Sequence, residues 1–227
     1  DLLAQLVQLR AEGGRLRHRR LVVVAGERAA ALTRLGPLFA SGTGLVVTTS
    51  PTVLSAGWRR CAPDEALELL GTTIELLVLD LHDALSPNLL GALTGLVPGG
   101  GLLVLLVPEP ARWPTLPDGF RDRLLLPPHE PAEVGRRFLA RFLRSLDRAP
   151  GVLWVEAASG ESRRGPPAPS GPPVDGPPPV WRPAVEVGPL VACCRTADQA
   201  AALEAGGELL RATRGHALVL IADRGRG

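Results

Sequence analysis

Lysine, tyrosine and methionine are absent from this 227-residue chain, isoleucine occurs only at 74 and 221, and aromatic residues make up 4%. Every cation is therefore arginine or histidine. Leu, Val, Ala, Gly, Pro and Arg fill the vacated places, the mark of a GC-rich coding bias. A chain that begins at Asp1 and contains no methionine is expected to be a piece of a longer protein. No stretch is apolar and long enough to span a bilayer, and no signal peptide opens the sequence. Cysteine is scarce: Cys61, Cys193 and Cys194. An odd count with two adjacent residues is no disulfide framework, and no CxxC pair suggests zinc. Reduced, buried thiols in a cytoplasmic protein are expected. A net charge of +2 does not by itself argue for a nucleic-acid partner.

What is present is apolar content of 45%, ample for a core. Leu2, Leu3, Leu6, Val7 and Leu9 repeat at helical spacing, and Gly13-Gly14 is expected to end that helix. Leu21 to Ala25 is a short, wholly apolar run, the signature of a strand covered on both faces. An alanine- and leucine-rich helix to about Phe39 follows Gly26. Strands are then expected at Leu45–Thr48 and Trp58–Cys61, with a helix from Pro63 to Leu70 between the latter and the next strand. Ile74 to Leu79 reads as a strand with Asp80 at its end. Ser86-Pro87 supplies an N-cap and a first-turn proline for a helix to about Val97. Pro98-Gly99-Gly100-Gly101 turns the chain into a strand at Leu102–Val107. Strand, helix and strand at this spacing make a parallel crossover. The region from Pro108 to Pro128 is irregular and proline-rich. Pro131 to Asp147 reads as an amphipathic helix, with Val134, Phe138, Leu139, Phe142, Leu143 and Leu146 on its apolar side and Arg136, Arg137, Arg141, Arg144 and Arg148 largely off it. Val152–Val155 could add a strand. The expected fold is α/β, a Rossmann-like open parallel sheet with helices on both faces, over residues 1–157. Residues 158–188, rich in Pro, Gly and Ser, read as a linker. Residues 189–227 read as the start of a second, nucleotide-binding domain.

The sharpest chemical signal is at the C-terminus. A helix capped by Thr196 or Asp198 runs to about Thr213, a strand follows at Ala217–Ile221, and the sequence ends Ala222-Asp223-Arg224-Gly225-Arg226-Gly227. A strand entering a glycine-rich turn is how a phosphate loop begins, because successive backbone N–H groups point inward. In the G-x-x-x-x-G-K-[ST] pattern Ala222 stands at the first glycine and Gly227 at the second. By pattern alone the same residues also read as a basic tail. Gln199 lies one helix upstream, and an amide offers a donor and an acceptor together to a nucleotide base.

These residues resemble the A-D-R-G-R-G-K-S phosphate loop of the tRNA(Met) cytidine acetyltransferases. Leu21 to Arg28 resembles that family's first strand and turn. Leu77-Val78-Leu79-Asp80 with Pro98 to Leu105 resembles its central crossover. The resemblance implies an N-terminal α/β domain followed by a helicase-like P-loop ATPase, an acetyltransferase domain and an RNA-binding tail. It implies acetyl-CoA and ATP or GTP as cofactors of the full-length protein, and tRNA as its partner. Gln199 would contact the base, and Ala222, Arg224, Gly225, Arg226 and Gly227 would belong to the phosphate cradle. No catalytic residue, metal ligand or bound cofactor is expected in this piece, which would not hydrolyse ATP by itself.

A second reading is a free-standing S-adenosylmethionine methyltransferase, where Asp80, a helix and Pro-Gly-Gly are also common. Against it, the turn after the first strand carries one glycine, and Thr48-Thr49-Ser50 stands where a ribose-holding acid is needed. His82-Asp83 could form an acid/base pair, but no nucleophile accompanies it and a solvated loop is favoured. His18, His129 and His216 lack metal-ligand spacing. The arginines at 15–20 and along the helix after Pro131 could touch RNA phosphate or simply form solvated faces. No aromatic residues interleave with them as a single-strand platform requires.

Overall fold

A computed structural model describes residues 2–130, 133–167, 190, 191, 194 and 197–211. The chain divides into two compact units, Asp1–Val174 and Asp175–Gly227. The first is built on seven strands: β1 (Arg20–Ala25), β2 (Gly44–Val47), β3 (Trp58–Cys61), β4 (Leu76–Asp80), β5 (Leu102–Val107), β6 (Leu153–Glu156) and β7 (Ser162–Arg164). They lie in the order β3-β2-β4-β5-β1-β6-β7. All neighbouring pairs are parallel except β6 and β7, which are antiparallel. This is the expected Rossmann-like α/β sheet.

Wholly apolar strands serve two cores at once, because successive side chains point to opposite faces. Leu103, Leu105 and Val107 of β5 join Val23, Leu77 and Leu79 on one face. Leu102, Val104 and Leu106 join Val22, Val24 and Val78 on the other. The first face is covered by α4 (Pro87–Thr94) and α6 (Arg137–Arg148). The second is covered by α1 (Leu2–Leu16), α2 (Arg28–Arg34) and α3 (Gly36–Ala40). The Ser86 N-cap forms as expected, with the Leu89 N–H donating to its hydroxyl at 3.3 Å.

Several expected boundaries move. α1 runs through Gly13-Gly14 to Leu16 rather than stopping there. Gly13 is buried, and a Cβ on it would lie 2.8 Å from the His18 carbonyl, so its glycine serves close packing. The stop is Arg17, at φ +50°. The His18 N–H bonds the Gly13 carbonyl and the Arg17 N–H the Gly14 carbonyl, the paired pattern of a Schellman cap. The helix expected to reach Phe39 is two, α2 and α3, broken at Leu35. Pro37 has no N–H to give the Thr33 carbonyl. The helix expected from Pro131 begins at Arg137, after Gly135. It is preceded by the short α5 (Gly119–Asp122) inside the stretch read as irregular. Glu65–Leu69 is a 3-10 turn, not an α-helix. Past residue 157, β7 extends the sheet inside the segment read as linker, and Arg163 of β7 stacks 4.8 Å over the Trp154 ring of β6.

In the second unit, α7 spans Ala197–Arg211, close to the expected helix. The strand at 217–221 and the phosphate-loop residues Ala222, Arg224, Gly225, Arg226 and Gly227 lie outside the described residues.

Candidate functional site

The strand order creates one place where a ligand site would form. β1 and β5 are adjacent and parallel, but β1 continues into α2 on one face and β5 leads to α6 on the other. Connections that part in this way open a crevice beyond the carboxyl ends of the strands. A cleft of about 1020 Å³ lies there, lined by the β1–α2 turn, the loop after β5 and the β6–β7 hairpin.

The turn after β1 is held tightly. The Gly26 N–H bonds the Val107 carbonyl at 2.9 Å, and the Ala157 N–H bonds the Ala25 carbonyl at 2.8 Å. Gly26 sits at φ +144°, and a Cβ there would fall 2.9 Å from the Ala157 Cβ. Arg34 reaches across from α2 to the carbonyls of Ala157 at 3.1 Å and Ala158 at 2.7 Å. Gly26→Ala combines backbone strain with that overlap and is expected to cost about 2 kcal/mol. Urea unfolding of the variant checks this.

Beside the turn stands a charged cluster. Asp80, the last residue of β4, is buried among four donors. Its Oδ1 accepts from the His82 N–H at 3.0 Å and meets His82 Nδ1 at 2.6 Å. Its Oδ2 accepts from the Thr48 hydroxyl at 2.7 Å, and Arg28 Nε lies 3.0 Å away without hydrogen-bond alignment. His82 Nε2 lies 2.9 Å from the Gly26 carbonyl. Asp83 pairs with the Arg28 guanidinium and accepts from the Thr49 hydroxyl at 2.6 Å. Burial pushes the Asp80 carboxyl up, but hydrogen bonds from the His82 ring, Thr48 and the His82 N–H outweigh it and hold the carboxyl below its ordinary value. Asp83 is likewise raised by burial, then held low by Thr49 and Arg28.

Sequence reasoning weighed a His82-Asp83 acid/base pair and favoured a solvated loop. The structure instead pairs His82 with Asp80, and Asp83 with Arg28 and Thr49. The partners it missed, Arg28 of α2 and Thr48 and Thr49 just after β2, meet the end of β4 through a strand order that spacing does not encode. The Thr48-Thr49 pair, standing where an acid was sought, was the available signal.

A carboxylate offers about four acceptor positions; three around Asp80 take hydrogen bonds, and Arg28 Nε stands 3.0 Å away as a charge partner. Asp80 is a brace joining the ends of β2, β4 and β1. The cleft lining carries Glu27, Glu109, Glu156 and Glu161 against Arg28, Arg112 and Arg163, so it presents no cationic excess to a phosphate. Glu27 caps α2 without a side-chain bond, and the turn has one glycine. Among the described residues, no group of three or more His, Cys, Asp or Glu side chains is arranged to hold a metal. Cys61 is half-buried, and its thiol is pushed up by burial and by Glu65, which opposes a nucleophilic thiolate. Cys194 is half-buried, and Cys193 lies outside the described residues. Gln199 falls in the first turn of α7, half-buried. Its expected partners from Ala222 to Gly227 lie outside the described residues, so the cradle itself is not on view. No described helix is long and apolar enough to cross a membrane.

Residues 1–157 match the family model described as tRNA(Met) cytidine acetyltransferase TmcA, N-terminal. A tRNA(Met) cytidine acetyltransferase of Haloferax volcanii is 40% identical over 241 residues, covering 100% of this chain and 30% of that protein. One from Nitrosococcus halophilus is 35% identical, covering 92% of this chain and 27% of the relative. One from Methanopyrus kandleri is 36% identical over 70% of this chain and 19% of the relative. The chain thus spans less than a third of the length of the curated relatives it matches. A family match over residues 1–157, which hold six of the seven strands, with 40% identity to a relative over 100% of the chain, places this chain in the tRNA(Met) cytidine acetyltransferase family, as an N-terminal region of it.

Proposed function

We propose that this chain is the N-terminal portion of a cytoplasmic enzyme that acetylates the exocyclic amine of a cytidine in tRNA(Met), using acetyl-CoA together with ATP or GTP. Within that enzyme the seven-stranded unit is architectural and RNA-contacting, and carries no reacting group. The observation that supports this division is the state of Asp80. It is a buried acid beside the crevice turn, outside the cleft lining, and it accepts from the His82 N–H, the His82 ring and the Thr48 hydroxyl with Arg28 Nε 3.0 Å away. A ligand using that carboxylate would have to displace those groups. The nucleotide site of the enzyme belongs to the second unit, with Gln199 toward the base and Ala222, Arg224, Gly225, Arg226 and Gly227 along the phosphates. A phosphate loop also needs a lysine and a hydroxyl residue beside the metal. On this reading the 227-residue chain by itself is inactive in both acetylation and nucleotide hydrolysis.

Nucleoside mass spectrometry tests the reading. The full-length protein, incubated with tRNA(Met), acetyl-CoA and ATP or GTP, should form acetylcytidine, and the 227-residue chain should form none. An S-adenosylmethionine-dependent methylated nucleoside, or the absence of acetylcytidine from the full-length reaction, would remove it.

A further inference from the structure

α6 carries a feature that the crevice does not explain. Arg137, Arg141, Arg144 and Arg148 follow one another at intervals of four, three and four residues, all exposed. At 100° per residue they fall within a narrow strip, and at 1.5 Å rise the strip is about 16 Å long. The opposite side of the helix holds Leu139 and Leu146, both buried, and Phe142, packed edge-on against Trp113 at 6.2 Å. The helix is thus fixed with its arginines outward. None of the four guanidiniums has a hydrogen bond or ion pair with another described residue. The acid of this helix, Asp147, is neutralised by Arg163 of β7 at 2.8 Å.

We propose that this arginine strip is a docking surface for the sugar–phosphate backbone of RNA, the tRNA of the reading above, on which the proposal rests. Four like charges in a row, with no partner among the described residues, oppose one another, and a polyanion laid along them relieves that. A guanidinium presents a planar fork that makes paired hydrogen bonds to phosphate oxygens. The strip itself carries no aromatic ring and no base-reading amide, and the neighbouring Phe138 ring is stacked on Phe142 at 6.1 Å, so the strip senses backbone and not sequence. Ala140 and Ser145 border it and are too small to anchor a protein interface, while beyond them lie Asp147, paired with Arg163, and a single large apolar side chain, Phe138, 44% exposed. The large apolar side chains that a lipid surface would take up are mostly turned into the domain core.

The test is tRNA binding to the 227-residue chain, followed by fluorescence anisotropy from 50 to 200 mM salt. Removing one arginine that pairs with a phosphate should reduce the salt slope by about one. Arg141→Gln with Arg144→Gln should therefore flatten the slope of log K against log salt by about two and weaken binding roughly tenfold or more at low salt. Arg141→Lys with Arg144→Lys should keep the slope. Arg59→Gln with Arg60→Gln, on β3 at the far edge of the sheet, should leave it unchanged. Equal binding by the wild type and the Arg141/Arg144 glutamine pair overturns the proposal. So does preference for phosphatidylserine vesicles or polyglutamate over tRNA. If the full-length protein acetylates tRNA(Met) while the glutamine pair binds normally, the strip fails and the acetyltransferase reading stands. If no acetylation occurs but binding depends on the strip, the reverse holds.

Discussion

Asp80→Ala is expected to lower the stability of the seven-stranded unit by about 3 kcal/mol, near the lower end for breaking a buried ion pair. The loss comes from what is left behind. The Thr48 hydroxyl, the His82 N–H and the His82 ring each lose their acceptor at the end of β4, while Arg28 keeps only Asp83. Asp80→Asn preserves the shape and should cost less. The acid response separates the two effects. Because the folded Asp80 carboxyl is held low, its contribution is fully present above the unfolded value of about 3.9 and is lost as pH falls through the lower folded value. The stability gap between wild type and Asp80→Asn, measured by urea unfolding, should therefore narrow below about pH 4. A gap that widens there would mean that the carboxyl is protonated in the folded protein.

Phe39→Ala should cost about 3–5 kcal/mol, the range for removing a buried aromatic side chain. Phe39 is 2% exposed and meets the Trp58 ring edge-on at a centroid distance of 5.0 Å and an interplanar angle of 86°. It joins α3 to the β2–β3 edge of the sheet, and Trp58 in turn donates its indole N–H to the Ser41 carbonyl at 3.3 Å. Truncation leaves a void bounded by sheet and helix, and neither can collapse into it. Phe39→Leu should recover more than half of the loss. Thermal unfolding of both variants reads the result, and a loss below about 1 kcal/mol for Phe39→Ala would show that α3 does not seal this edge.

Much of the fold could be read from the residues, for a physical reason. Runs such as Leu21–Ala25 and Leu102–Val107 are apolar at every position, which only a strand buried on both faces requires, and both formed as expected. Ser86-Pro87 carried its own local chemistry, and the cap formed. The failures arose where local signals met tertiary packing. Gly13-Gly14 looked like a stop because glycine usually is one; here Gly13 allows α1 to pass close to the turn before β1, and Arg17 makes the stop. The linker signal of residues 158–167 is compositional, so it missed a hairpin that pairs with β6 through backbone bonds and an arginine over Trp154. The brace around Asp80 was illegible because it needs the strand order. Thr48 and Asp80 are 32 residues apart and touch only because β2 lies beside β4.

In the proposed enzyme the cluster around Asp80 holds the scaffold together and takes no part in acetyl transfer. The most direct measurement compares full-length wild-type and Asp80→Asn enzymes for both unfolding temperature and kcat in tRNA(Met) acetylation, assayed well below unfolding. The expected result is a lower unfolding temperature with kcat within about twofold of wild type. A fall in kcat of a hundredfold or more, about 2.7 kcal/mol of transition-state stabilisation, with the unfolding temperature unchanged would contradict it.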